Sequence, residues 1–321
     1  MLTKKIIILS FAFLLSCSNI VTNLNENSWA ESVIKKMTLR EKIAQMMVYR
    51  MNMHYVNFEN KDWKELIQLI ETDGIGIIHI WFGDVGSSLT TLNFLQQKSK
   101  LPILVEADIE SGLGRRYNGS VRLPPMMAIA ATGNSYYAYE AGRISAEESR
   151  AVGIHFNLAP VVDVNNNPKN PIINTRSFGE VPDSVQKYSK DFIKGLKDFG
   201  MLTTAKHFPG HGDTETDSHS ALAMIPSDSA RLWNIELPPF RYAIEAGVDA
   251  VMIAHVSAPD FQRHSEVPAS LSSFWIQDIL RKEMSFNGAV ITDAMGMGGI
   301  IKNYSDDYAI VETIKAGSDI I

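Results

Sequence analysis

Eight short apolar runs, each separated from the next by a longer amphipathic stretch, restrict the folds that are open to this chain. The runs are rich in β-branched residues and too short for helices, so they predict strands. Strands that alternate with helices are typical of a parallel α/β domain. The predicted strands are Gln45–Tyr49, Gly76–Trp81, Ile103–Ala107, His155–Val162, Leu202–Ala205, Ala250–His255, Ala289–Thr292 and Asp319–Ile321.

Eight strands joined by helices predict a (β/α)8 TIM barrel, whose active site lies at the C-terminal ends of its strands. A doubly wound sheet shows the same alternation. However, no GxGxxG motif for a dinucleotide follows the early strands. The predicted helices are Trp29–Lys36, Asp62–Glu71, Ser87–Lys98, Ser135–Ala151, Ser184–Lys197, Asp228–Ala246, Ser273–Glu283 and Asp306–Ala316.

Charged or His residues follow most of the predicted strands, which fits a ring of catalytic loops at one end of a barrel. They are Asp108, Glu110, Asp163, Lys206, His207, His255 and Asp293. The chain stops at Ile321, within the strand that would close the barrel. We therefore expect the barrel to be truncated at or just inside that last strand.

The segment KHFPGHGDTETDSH, residues 206–219, holds three His and three acidic residues directly after a predicted strand. Pro209 and Gly210 prevent a helix, so we expect an irregular loop of the kind that commonly carries catalytic side chains. Asp217 and His219 lie two residues apart, so in an extended segment the carboxylate can hydrogen-bond the imidazole. This pair is a candidate general acid and base.

A zinc site is an alternative use of the same loop. His207, His211 and His219, with Asp213 and Asp217, are suitable ligand types. Two His four residues apart face one metal when they share a helix, but Pro and Gly lie between the first two His here. We therefore expect neither a metal nor a cofactor.

Asp293 directly follows the apolar run Ala289–Thr292, which would deliver its carboxylate to the mouth of a barrel. An Asp at such a position can also cap the next helix. Together with an acid/base pair, this carboxylate would complete the machinery of retaining glycoside hydrolysis, in which it attacks the anomeric carbon.

The N-terminus has the layout of a secretory signal peptide, with two Lys before the apolar run Ile6–Leu15. Leu14–Cys17 also resembles the lipobox of bacterial lipoproteins, in which the Cys is lipidated. We expect residues 1–17 to be a lipoprotein-type signal, residues 18–28 a polar tether and residues 29–321 one barrel domain. The protein would then be exported and anchored to a membrane through Cys17, on its periplasmic or cell-surface side.

Composition narrows the partners of this chain. Cys17 is the only Cys, so the chain cannot form an internal disulfide. A net charge of -6 gives no basic surface for nucleic acid. The expected partner is a neutral or small polar substrate.

Three groups of segments resemble glycoside hydrolase family 3, specifically its single-domain branch of β-N-acetylhexosaminidases. They are KHFPGHGDT with the following DSH, APVVDVNNNPKNPI with RSFG, and ITDAMGM. The resemblance runs from about Met37 to the end of the chain. It implies a barrel that removes terminal N-acetylglucosamine from peptidoglycan fragments or related glycans.

The resemblance also implies roles for single residues. Asp293 would be the nucleophile and His219 the acid/base, with Asp217 orienting His219. Sugar-binding roles would fall to Asp108, Arg116, Arg176, Lys206 and His207. Arg116 could instead be a solvated surface charge and Arg176 a brace for the Asn-rich loop at 165–174. Asp163 and His255 are expected to be structural or to support other residues of the site.

One segment departs from the family pattern. Where the hexosaminidases read Asp-x-Glu-Gly-Gly-Arg, residues 108–113 read DIESGL, which resembles a variant in larger Bacteroidetes-type proteins with an appended serine-hydrolase domain. A further C-terminal domain is therefore an expectation. The alternative functions are a β-glucosidase, a glycoside phosphorylase on the same scaffold and a non-catalytic glycan-binding lipoprotein.

Overall fold

The computed structural model describes residues 26–54, 57, 59–226, 229–262 and 265–321. The predicted signal peptide, Cys17 and most of the predicted tether lie outside these ranges. The described residues divide into two units, one ending at Ala44 and one running from Gln45 to Ile321. Within them, no helix combines the length and the apolar character that crossing a membrane requires.

The second unit is built on parallel strands, as the alternation of strands and helices predicts. The strands are β1 Val48–Met53, β2 Ile77–Asp84, β3 Leu104–Ala107, β4 Tyr117–Asn118, β5 Phe156–Asn157, β6 Leu202–Phe208, β7 Ala223–Met224, β8 Ala250–Ile253, β9 Val256–Ser257 and β10 Ala289–Thr292. The main sheet has the order β1-β2-β3-β5-β6-β8-β10, with β4 beside β2, and β7 pairs with β9. Every one of these pairings is parallel.

The last residues of the chain join the two ends of this sheet. Ile320 forms a parallel bridge with Ile291 of β10. On the other side, the Val48 N–H of β1 donates to the Ile321 carbonyl at 2.9 Å, and the Ile321 N–H donates to the Met46 carbonyl at 2.9 Å. The predicted strand Asp319–Ile321 is thus observed as a single bridge that lies between β10 and β1, and the parallel sheet is curled.

Side-chain alternation along the strands separates two apolar clusters. Ala289 and Ile291 of β10 pack with Phe156, Met252 and Ile320 in a small cluster. Val290, which lies between the two β10 residues, belongs to the larger cluster instead. Neighbouring residues of a strand point to opposite faces. The small cluster therefore fills the concave face, and the larger one packs under the helices.

The first predicted strand is wrong at its start. Gln45 and the residue after it end the helix Leu39–Met46, and β1 begins only at Val48. The cause is a capping box: the Glu41 N–H donates to Thr38 Oγ1 at 3.2 Å, and the Thr38 N–H donates to a Glu41 carboxylate oxygen at 2.9 Å. The Thr-x-x-Glu spacing carries this signal in the sequence.

Most predicted helices are confirmed with small shifts at their ends. The predicted Asp228–Ala246 is instead divided at Pro238, and its first residue lies outside the described ranges. The helices are Glu26–Ile34, Leu39–Met46, Lys61–Gln68 with a π-helical turn Leu69–Asp73, Val85–Lys98, Met126–Ala130, Tyr136–Ala151, Pro182–Asp198, Ser229–Arg231 with a π-helical turn Leu232–Glu236, Pro238–Glu245, the π-helical Phe274–Glu283, Gly298–Ile301 and Asp306–Ala316.

Candidate active site

Lys206 is a buried cation held between two carboxylates. Only 2% of its side chain is exposed, and Nζ lies 2.7 Å from Asp108 Oδ1 and 2.8 Å from Glu110 Oε1. Moving an ammonium group out of water costs several kcal/mol, which is roughly the energy that pairing with a carboxylate returns. Lys206 can therefore be buried because it is paired. Lys206 and His207 also lie inside β6, which extends to Phe208 rather than ending at Ala205 as predicted.

Two arginines flank the carboxylates that hold Lys206. Arg116 donates from Nη2 to Asp108 Oδ2 at 3.1 Å, and its guanidinium lies 4.2 Å from the centre of the Trp81 ring. Arg176 holds Glu110 in a two-bond fork, with distances of 3.0 Å and 2.9 Å. The Arg116 side chain is only 14% exposed, so it is not a solvated surface charge.

Arg176 also braces the loop that precedes it. Its Nη1 donates to the Ile172 carbonyl at 3.2 Å. The same guanidinium lies 3.2 Å from Nε2 of His207. Because Arg has only donors, this contact is a hydrogen bond only when Nε2 of His207 carries no proton. Both readings of Arg176, as brace and as part of the polar cluster, are therefore compatible with its contacts.

The electrostatics of the cluster favour ionised carboxylates. Burial by itself would raise the pKa of Asp108 and Glu110, but the Lys206 ammonium lowers both, aided by Arg116 at Asp108 and by Arg176 at Glu110. The pKa of each carboxyl therefore lies well below its ordinary value. Ionised carboxylates accept hydrogen bonds, which suits them to the hydroxyl groups of a sugar.

Asp163 is a fully buried carboxylate that fixes the start of the polar loop. It accepts from Nδ1 of His207 at 2.7 Å and from the His211 backbone N–H at 2.6 Å. His211 is itself buried, and burial together with His207 lowers the pKa of its imidazole to about 4. Asp163 is thus structural, as predicted, and it orients His207 by holding the proton on Nδ1.

Asp217 and His219 form the predicted pair. The ring Nδ1 of His219 lies 2.8 Å from Asp217 Oδ1, and the same oxygen accepts the His219 backbone N–H at 2.9 Å. The two residues meet through a turn and not through the extended segment that the spacing suggested. The His219 side chain is 54% exposed, so the ring is open to a ligand or to solvent.

Asp293 emerges from β10 at the same edge of the sheet. Its Oδ1 accepts the Ala294 N–H at 2.8 Å. Burial by itself would raise the pKa of this carboxyl, but His207, His255 and Lys206 lower it below its ordinary value. The group is therefore an ionised carboxylate at neutral pH, the form that a nucleophile requires.

His255 holds the backbone behind Asp293. Its Nε2 donates to the Ala294 carbonyl at 3.0 Å, and the Ser270 hydroxyl donates to Nδ1 at 2.8 Å. Burial lowers the pKa of His255, so the ring is neutral and can take both roles. This agrees with the structural role that we expected for His255.

Several buried groups around this cluster were not predicted to belong to the site. Glu110 was noted only as a strand-end residue, although it pairs with both Lys206 and Arg176; its spacing of two from Asp108 was the available signal. His79 lies against Glu106, with Nδ1 at 3.2 Å from Oε1, and burial raises the pKa of Glu106. A lone His and a lone Glu inside predicted strands carried no signal.

The parallel strands explain how these residues meet. Asp108 and Asp293 directly follow β3 and β10. Lys206 lies near the C-terminal end of β6, and Asp163 lies in the segment that follows β5. Because the strands are parallel, their C-terminal ends lie at one edge of the sheet. Across the described ranges, no three His, Cys, Asp or Glu side chains are grouped in a way that could hold a metal ion.

The family model described as the glycosyl hydrolase family 3 N-terminal domain matches residues 38–321. The chain belongs to glycosyl hydrolase family 3. Among solved structures, this family 3 chain is similar to a β-N-acetylglucosaminidase of the same family from Paenibacillus sp. str. FPU-7. The two share 38% identity with a TM-score of 0.82, over 89% of this chain and 54% of that one.

Two other relatives differ in their named activities. A β-N-acetylglucosaminidase/β-glucosidase of Cellulomonas fimi is 28% identical, over 91% of this chain and 52% of the relative. The structure of a β-glucoside phosphorylase is 26% identical with a TM-score of 0.86, over 94% of this chain and 55% of that one. The chain thus spans about half the length of these relatives.

Proposed function

We propose that this family 3 chain is a retaining exo-β-N-acetylhexosaminidase that removes terminal N-acetylglucosamine. The observation that carries the proposal is the Asp217–His219 pair. This contact supports an acid/base role for His219, on the same chain that supplies the carboxylate of Asp293. Relatives named as β-N-acetylglucosaminidases support the substrate.

Two chemical steps follow from this pair of groups. In the first, a carboxylate oxygen of Asp293 attacks the anomeric carbon while Nε2–H of His219 gives its proton to the departing glycosidic oxygen. In the second, the neutral imidazole takes a proton from a water molecule, which attacks the same carbon and releases Asp293. Asp217 accepts Nδ1–H throughout and stabilises the imidazolium, which starts the first step and is formed again in the second.

The ionic cluster would bind the sugar itself. The carboxylate of Asp108 accepts bonds from ring hydroxyls, whereas Lys206, Arg116 and Arg176 donate to hydroxyls or to the acetamido carbonyl. His207 lies in contact with Arg176. Because these groups are already paired with one another, the cluster is rigid before the sugar arrives.

We also propose that the curled sheet is the (β/α)8 barrel. The bonds of Ile320 and Ile321 to β10 and β1 support it. An active site at the C-terminal ends of the strands is the arrangement expected of such a barrel.

The test uses p-nitrophenyl N-acetyl-β-glucosaminide and the matching β-glucoside. We expect faster release from the acetamido sugar, and Asp293→Ala should abolish it. A 5-fluoro N-acetylglucosaminyl fluoride should trap the covalent intermediate, and peptide mass spectrometry should find the label on Asp293. Full turnover by Asp293→Ala would refute the proposed nucleophile.

A phosphorylase or β-glucosidase is the second candidate, because relatives named for these activities cover most of the chain. A His acid/base is compatible with phosphorolysis, since a neutral imidazole does not repel phosphate as a carboxylate would. Reactions with and without inorganic phosphate distinguish the candidates. A sugar 1-phosphate product would favour phosphorolysis, and preference for the glucoside would replace the substrate but keep the mechanism.

We further propose that the protein is an exported lipoprotein that acts on peptidoglycan fragments or related glycans. The N-terminal sequence with Cys17 supports it. The protein and its Cys17→Ser variant would be compared in a bacterium fed labelled palmitate. Label should enter the unaltered protein alone, and equal labelling of the two would contradict lipidation at Cys17.

A further inference from the structure

The loop that carries His219 is bonded directly to the start of the short helix Gly298–Ile301, which follows Asp293. The Gly298 N–H donates to the His219 carbonyl at 2.9 Å, and the Gly299 N–H donates to the Ser218 carbonyl at 2.9 Å. Two successive N–H groups at the start of the helix therefore hold two successive carbonyl groups of the loop.

This contact is too close for a larger residue. A Cβ on Gly298 would lie 2.4 Å from the Ser220 carbonyl oxygen and 2.8 Å from the His219 carbonyl oxygen. A Cβ on Gly299 would lie 3.1 Å from the His255 Cβ. Neither glycine has a left-handed φ, so close approach of the His219 loop to the helix, and not backbone conformation, is what requires glycine here.

The other contacts of the His219 loop do not fix it to Asp293. Ser218 Oγ lies 2.9 Å from Nε2 of His211, which ties the loop to the buried network around Asp163. The His219 ring is oriented by Asp217, which belongs to the same loop. Among the hydrogen bonds of the described residues, those of Gly298 and Gly299 join the loop to the segment that follows Asp293.

We infer that Gly298 and Gly299 are positioning residues that set the distance between the acid/base and the nucleophile. The inference rests on the proposed function, because it concerns the two groups that act on either side of one glycosidic bond. A side chain at residue 298 would push the His219 loop outwards and leave Asp293 on its strand. Proton donation would then fail while nucleophilic attack would continue.

Gly298→Ala tests this, with Gly296→Ala as the matched control from the segment just before the helix. A Cβ on Gly296 has nothing within 4 Å, and its φ is not left-handed. The substrates are phenyl N-acetyl-β-glucosaminide, whose leaving group needs a proton, and the 2,4-dinitrophenyl glycoside, whose leaving group does not.

For Gly298→Ala, we expect kcat/KM to fall by at least about tenfold on the phenyl substrate, because general acid catalysis contributes about 100-fold or more. On the dinitrophenyl substrate it should stay within about twofold. Azide, which needs no general base, should accelerate turnover and yield the glycosyl azide. Gly296→Ala should match the unaltered protein on both substrates.

An equal fall on both substrates, or no fall on either, would overturn the inference. If Gly298→Ala does not fold, as judged by circular dichroism, Gly299→Ala is tested on the same two substrates. A Cβ on Gly299 would lie no closer than 3.1 Å to its neighbours, so this variant disturbs the fold less. His219→Ala separates this result from a failure of the proposed function. If that variant lacks the same dependence on the leaving group, the acid/base assignment itself is wrong, whatever the glycine variants do.

Discussion

Lys206 depends on partners that come from a distant part of the chain. Its ammonium is bonded to Asp108 and Glu110, and only 2% of the side chain is exposed. We expect Lys206→Met to lower the free energy of unfolding by about 3 to 5 kcal/mol, because it leaves two carboxylates buried without their shared cation. Urea denaturation measures this loss.

Lys282→Met is the matched control for that experiment. Lys282 also pairs with a carboxylate, that of Asp278 at 2.6 Å, but its side chain is 72% exposed. Exposed ion pairs contribute little, so we expect no measurable change. If the two variants lost the same stability, Lys206 could not be the cation on which the buried cluster depends.

At the scale of elements, two helices cross through a pair of glycines. A Cβ on Gly142 would lie 2.3 Å from the Phe192 carbonyl oxygen, and a Cβ on Gly195 would lie 2.1 Å from the Tyr139 carbonyl oxygen. We expect Gly195→Ala to destabilise the protein by about 1 to 3 kcal/mol or more, because the helices Tyr136–Ala151 and Pro182–Asp198 must move apart.

Gly86→Ala is the matched control for that prediction. Gly86 also lies in a helix, but its nearest neighbour to an added Cβ is at 3.8 Å. An Ala there should be neutral or should stabilise by about 0.4 to 1 kcal/mol, because it restricts the unfolded chain. Thermal unfolding of the two variants measures both effects. If Gly195→Ala were as stable as the unaltered protein, the helices could move apart without losing stability, and the prediction would be wrong.

For the whole molecule, the buried carboxylates predict sensitivity to acid. Burial would raise the pKa of Asp163, but His207 and His211 lower it below its ordinary value, and the pKa of Glu110 and Asp293 is also lowered. A carboxyl whose pKa is lowered by folding stabilises the fold above its unfolded pKa, about 3.9 for Asp and about 4.3 for Glu, and loses that effect as pH falls through the folded value.

We therefore expect the free energy of unfolding to decline as the pH falls below about 6.5, because folding lowers the pKa of His211 and His255. It should decline further below about pH 4, where the carboxyls take up protons. Asp163→Asn should be less stable than the unaltered protein at pH 7. The difference in their free energies of unfolding should shrink in acid, because Asp163 of the unaltered protein is then protonated and its charge no longer stabilises the fold. Urea denaturation at a series of pH values measures both curves. A difference in the free energy of unfolding that stays constant with pH would contradict a stabilising charge on Asp163.

The sequence by itself determined the parallel α/β architecture and the residue types at the strand ends. Each apolar run carries its own period and its own β-branched content, so the strands from Gly76 to Thr292 could be located without any knowledge of their neighbours. The side chains that follow them, such as Asp108 and Asp293, then meet at one edge because parallel strands end on the same side.

Only the tertiary structure decided which of these groups are partners. Glu110 and Lys206 lie far apart in the sequence, and their pairing depends on β3, β5 and β6 lying side by side in the sheet. The glycine contacts between the loops of Asp293 and His219 have the same origin. Such contacts depend on distances between segments that only the packed sheet fixes, and no local pattern of residues carries them.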